Sequence, residues 1–249
     1  MTGPTQIRIS FVSHDGTATD GPSFDVPDPA LAAEERAREA DESQSWRQLI
    51  RSNIEVASGL LIRMIQDRNP RVRSLLKIFH EADRSKTAFR YLAAETFSDH
   101  AREAFLPIWI ESGHHIRREV ADDSILLDAL WKLLPAYEGP AVRLYRGEPW
   151  ADFVGQRHGI CWSSDPEAAE VYAKGLNAMY DGGGVLVETL APASAVISRA
   201  TIEGVNGWEF EYVIDRRYLT EIRELKRFPQ ITAEASMPWA VLSDLQRYS

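Results

Sequence analysis

Glu138-Gly139-Pro140-Ala141-Val142-Arg143-Leu144-Tyr145-Arg146-Gly147-Glu148 (EGPAVRLYRGE) divides this chain into two textures. Before it, apolar residues recur at helical spacing. After it come short apolar runs separated by glycine and proline. Glu138-Gly139-Pro140 is a breaker, because glycine is permissive and proline cannot continue a helix. Ala141–Tyr145 then reads as the first strand of the second half.

Working downstream, Gly184–Leu190 (GVLVETL) reads as a strand entered through a turn at Gly182-Gly183. Ala195–Ser198, Glu211–Ile214 and Leu219–Leu225 read as three more. One helix, Pro166–Leu176, lies among them. Several short strands with one helix predict a mixed arrangement and not a doubly wound parallel sheet.

Working upstream, residues 45–137 read as helices. Ser45 is a candidate cap for a helix carrying Trp46, Leu49, Ile50, Ile54, Ala57, Leu61 and Ile65. Asn69-Pro70 would end it and start another with Val72, Leu75, Leu76 and Phe79. Further helices are expected across Lys86–Ser98, Ala101–Ser112 and Ser124–Leu134. Gln6–Ser13 alternates as a strand does, Phe24–Val26 suits a short return strand, and residues 28–44 suit a charged helix. Residues 1–45 hold nine acids and three bases, which is −6 of the chain's formal −9. The division expected is an acidic segment at 1–45, a helical domain at 46–138 and a mixed domain at 139–249. The fold class is α+β, the mixed domain being two small packed sheets.

Composition bounds the function without choosing it. The chain has 249 residues, 44% of them hydrophobic, so a substantial core is available. No apolar run approaches the roughly 20 residues that span a bilayer. The start, MTGPTQIRIS, lacks a basic region followed by an apolar one, so no Sec signal is expected. The expected location is the cytoplasm, or delivery into a target cell without such a signal. The acidic balance argues against non-specific nucleic-acid binding. Cys161 is the one cysteine, which excludes an intrachain disulfide. His114 and His115 would point about 100° apart on a helix and so make poor joint metal ligands.

Three short features carry chemistry. In Tyr145-Arg146-Gly147 an arginine closes a strand, and its planar fork matches phosphate. Gly147 permits close approach to the backbone. In Trp162-Ser163-Ser164-Asp165-Pro166 a strand runs into a helix, with Ser164 or Asp165 as the cap and Pro166 at its first position. In Glu209-Phe210-Glu211 two carboxylates at i, i+2 of a strand share a face. Paired carboxylates suit stabilisation of a cationic sugar carbon, and equally suit an exposed edge strand.

Their order resembles the mono-ADP-ribosyltransferases of the Arg-Ser-Glu class, as found among bacterial toxins and effectors. The likeness covers about residues 140–225. Arg146 and Ser163 are 17 positions apart, and Ser163 and Glu211 are 48. The family's middle motif is commonly Ser-Thr-Ser, where this chain has Ser163-Ser164-Asp165. The resemblance implies two sheets forming a cleft for NAD, which is consumed as a substrate. It implies Arg146 at the diphosphate or nicotinamide ribose, and Ser163 or Ser164 orienting the catalytic acid. Tyr145 and Trp162 would line the nicotinamide pocket or else pack in the core, and Gly147 would let the cofactor approach the backbone. Glu211 would stabilise the oxocarbenium-like transition state, and Glu209 would prepare the acceptor. The acceptor implied is a macromolecule, with protein arginine as one candidate. Hydrolysis of NAD by water is the alternative within enzymes, and a non-catalytic interaction module is the alternative outside them.

Overall fold

The computed structural model describes residues 5–12, 18–26, 29–199 and 212–231. It is a mixed α+β chain. The described part opens with an antiparallel hairpin of β1 (Thr5–Val12) and β2 (Ala18–Val26). Six helices follow: α1 (Pro29–Ser52), α2 (Ile54–Gln66), α3 (Val72–Glu81), α4 (Ser85–Ala94), α5 (Asp99–Val120) and α6 (Asp123–Leu133).

Their ends are set by side chains. The helix expected from Ser45 does not start there, because α1 runs through that position to Ser52. The break falls at Asn53, whose side chain accepts from the Val56 amide at 3.1 Å and so caps α2. Ser98 and Asp122 cap α5 and α6 in the same way, accepting from Ala101 and Ile125. Each cap satisfies an amide with no partner inside the helix, worth about 1 kcal/mol.

Packing follows the apolar spacing. Val72, Leu75, Leu76 and Phe79 of α3 are buried together with Ala57, Leu61 and Ile65 of α2. Phe89, Phe105, Leu126 and Leu130 extend the same core. Each such side chain contributes about 1.5–3 kcal/mol on leaving water.

Among the described residues, the second half holds two three-stranded antiparallel sheets. One is ordered β3 (Val142–Pro149), β5 (Gly184–Ala191), β8 (Arg223–Phe228). The other is ordered β4 (Cys161–Trp162), β7 (Tyr212–Ile214), β6 (Val196–Arg199). Between β3 and β4 lies a five-residue helix, α7 (Trp150–Val154), and α8 (Pro166–Lys174) follows β4. The strand expected at Leu219–Leu225 lies later, at Arg223–Phe228, because a 3₁₀ turn at Arg216–Tyr218 intervenes. The sheets meet at one isolated bridge, where Tyr145 and Ser163 exchange both backbone hydrogen bonds, at 2.8 and 3.0 Å.

The second sheet is continuous with the helices. Ile160, Ile197 and Val213 belong to the same buried cluster as the helical core. A polar seam runs beside it. Trp131 of α6 donates to Asp215 at 2.9 Å, and Arg217 reaches both Asp215 and Asp128 at 2.7 Å. Arg117 and Arg216 share Asp123.

Candidate functional site

Tyr145, Arg146, Gly147, Cys161 and Ser163 line one cavity of about 190 Å³ at the bridge between the sheets. Its other wall is Ala168, Ala169 and Tyr172 of α8, with Leu176 and Asn177 beyond it. Sequence places these walls close together. Ser163 Oγ accepts from the Asp165 amide at 3.0 Å, and Asp165 caps α8 by accepting from the Glu167 amide at 2.8 Å. Pro166 follows at the first helical position. The helix then lies against β3, where a Cβ on Gly147 would meet the backbone of Ala169 and Ala173. Asn177 donates to the Gly147 carbonyl at 2.9 Å and closes the far end.

Arg146 is tied at two points. Its Nη1 donates to the Cys161 carbonyl. Its Nε lies 3.5 Å from Glu148 Oε2. Burial pushes the Arg146 guanidinium below the ordinary arginine value, and Glu148 opposes that shift. An arginine nevertheless keeps its charge in proteins. Gly159 makes room for it, since a Cβ there would fall on the guanidinium itself. Burial also pushes the Cys161 thiol up, against the pull of Arg146 and Arg117.

Other residues singled out from the sequence are placed differently. Trp162 is fully buried in the core between the sheets, and its indole donates to the Gly159 carbonyl at 2.9 Å. It is not among the residues lining the cavity. Ser164 is exposed, whereas Ser163 is buried at the bridge. Glu209 and Glu211 lie outside the described residues. Tyr212, the next residue after Glu211, pairs with Trp162 in the β4–β7 ladder.

One functional feature escaped the sequence reading. Glu148 is 1% exposed and takes His158 Nδ1 at 2.7 Å on its other oxygen. The signal was present in part: Arg146 and Glu148 stand at i, i+2 on one strand and therefore share a face.

A wider groove of about 700 Å³ lies beyond His158, lined by Phe153, Arg216, Arg217 and Leu219 among others. Its arginines are already engaged, Arg216 by the His158 carbonyl and Asp123, Arg217 by Asp215 and Asp128. Among the described residues no cluster of three or more His, Cys, Asp or Glu could hold a metal ion. Nor is any described helix long and apolar enough to cross a membrane.

Compared with known proteins, the chain matches no family model, no curated protein and no solved structure.

Proposed function

We propose that the chain transfers ADP-ribose from NAD to a macromolecular acceptor and releases nicotinamide. The observation that supports this reading most is the meeting of Arg146 and Ser163. They are 17 positions apart in sequence, one on β3 of the first sheet and the other just after β4 of the second, and line one cavity. The likeness in motif order would require that meeting, and neither motif alone would bring it about.

The cavity is smaller than the roughly 300–1,000 Å³ of sites that enclose a drug-sized ligand. It suits the nicotinamide-riboside end of NAD, with the remainder of the dinucleotide outside. In this reading Arg146 supplies positive charge to the diphosphate or the ribose. Ser163 or Ser164 donates to the catalytic carboxylate. Ser163, on the cavity wall, accepts from the Asp165 amide and carries a hydroxyl proton to give.

Glu211 follows by connectivity. It precedes Tyr212 in sequence, and Tyr212 is paired with Trp162, the neighbour of Ser163. The bond from the anomeric carbon to the nicotinamide nitrogen breaks. Its electron pair neutralises the cationic ring, so no acid is needed to expel it. The carboxylate of Glu211 stabilises the positive carbon that develops, and an acceptor lone pair then bonds to that carbon. The acceptor's proton passes to Glu209. Charge that appears only in the transition state is what a fixed carboxylate stabilises differentially.

The test is nicotinamide release and protein labelling from NAD labelled in its adenylate half. Wild type should release nicotinamide, and Glu211→Gln should lower that rate by at least ~10²–10³-fold, the loss typical of one preorganised electrostatic partner. Glu209→Gln should impair labelling more than hydrolysis. Release of nicotinamide with free ADP-ribose and no labelled protein would identify water as the acceptor. A wild type that neither binds NAD nor releases nicotinamide overturns the proposal.

A further inference from the structure

We propose that Glu148, itself oriented by His158, is the positioning residue for Arg146. This rests on the reading of the bridge cavity as the site for NAD. Glu148 is a buried carboxylate that the reaction above does not use. One oxygen is fixed by the His158 ring at 2.7 Å, which sets the rotation of the carboxylate. The other oxygen then faces Arg146 Nε at 3.5 Å. Both of those facing atoms are buried and have no hydrogen-bond partner among the described residues. The two atoms form an ion pair with each other. The guanidinium is thus held at Nη1 by the Cys161 carbonyl and at Nε by the Glu148 charge.

These two contacts, with the covalent bond to Cδ, fix the plane of the guanidinium. An arginine side chain has rotamer entropy to lose, and a ligand that must order it bears that cost on binding. Here the cost is met during folding. Glu148 never touches the ligand, because it is 1% exposed. Its effect therefore belongs to ligand affinity and KM, with kcat changed little.

The experiment uses the full chain with NAD as probe, measuring NAD binding, KM and kcat for nicotinamide release, and thermal unfolding. Glu148→Gln preserves shape and removes charge. It should raise Kd and KM about 2–12-fold, from roughly 0.5–1.5 kcal/mol per side chain to be ordered at 1.4 kcal/mol per tenfold. The kcat should stay within about twofold. In an Arg146→Ala background the same substitution should change Kd no further, whereas a merely structural role would add in both backgrounds. Gly159→Ala gives an independent arm. Its Cβ would fall on the Arg146 guanidinium, so it should raise KM, and by parting Arg146 from the buried Glu148 carboxylate it should also lower the melting temperature.

A second readout needs no NAD. The Arg146 Nε–H resonance, assigned by its loss in Arg146→Lys, should shift and exchange faster in Glu148→Gln. If that happens while wild type binds no NAD, the positioning stands and the cavity's ligand was misread. An unshifted resonance overturns the positioning, as does an unchanged KM or full additivity with Arg146→Ala.

Discussion

Substituting Gly147 by alanine would separate β3 from α8. The new Cβ would lie 2.9 Å from Ala173 Cα, and nearer still to the Ala169 oxygen and the Ala173 nitrogen. Carbon atoms rest at about 3.5–4.0 Å, so the helix must withdraw by roughly 1 Å. No rotamer change can relieve the contact, because every atom met is backbone. The face of α8 that is forced away is made of Ala168, Ala169 and Ala173, side chains too short to follow the strand. Overpacking of this kind costs about 1–3 kcal/mol. For a chain of this size each kcal/mol lowers the melting temperature by about 2–4 °C, so Gly147→Ala should melt about 2–12 °C below wild type. Gly59→Ala is the matched control. Gly59 sits inside α2 with nothing within 4 Å of its added Cβ, and alanine there should stabilise by about 0.5–1 kcal/mol. Far-UV circular dichroism during heating measures both. A Gly147→Ala protein that melts within 1 °C of wild type would refute the close approach of helix and strand.

Asp215→Asn should destabilise strongly. Burial alone would raise the Asp215 carboxyl, but hydrogen bonds from Arg217 and Trp131 prevail and hold it below the usual carboxylate range. A carboxyl depressed by folding contributes stability that is present above its unfolded pKa, ~3.9, and is lost as pH falls through the folded value. Arg217 is part exposed and keeps Asp128, so the loss is that of hydrogen bonds to a charged group, about 1.5–3 kcal/mol; denaturant titrations at pH 7 should show it, and the variant's stability should depend less on pH below about 4, while an unchanged midpoint contradicts the seam. Cys161 should alkylate slowly at pH 8, because burial pushes its thiol up, and its rate should keep rising with pH beyond the range where an ordinary thiol levels off. Because Cys161 lines the cavity, saturating NAD should slow that alkylation further, as followed by intact mass; equal rates with and without NAD count against ligand binding there.

The helical core was readable because periodicity is local. Val72, Leu75, Leu76 and Phe79 announce one buried face without reference to anything distant. The cap of α8 was readable for the same reason, Asp165 and Pro166 being adjacent. Ser45 misled because serine caps helices only where the chain is free to leave them. Here the residues on both sides continue α1, and Asn53 makes the break. The displaced last strand reflects long-range pairing. Arg223 and Lys226 are charged, yet they join the sheet through ion pairs with Glu188 and Glu170, partners that lie 35 and 56 positions earlier. The cavity shows the same limit. Arg146 and Ser163 could be named from their motifs, but their meeting depends on a single bridge between sheets, and no local pattern encodes it. The Glu148–His158 contact is a loop residue closing back on a strand, so only the strand half left a trace in sequence.

The core shared by the helices and the β4–β7–β6 sheet also governs how this architecture can be inherited. Ile160, Ile197 and Val213 are covered by helices encoded upstream of them, so the second half carries an apolar wall that another part of the chain must cover. A recombination event that moved the strands without those helices would deliver a sticky, unfinished surface to its new host. The two halves are therefore expected to travel, duplicate and diverge as one heritable unit, with substitutions at the wall matched by substitutions on the helices that cover it.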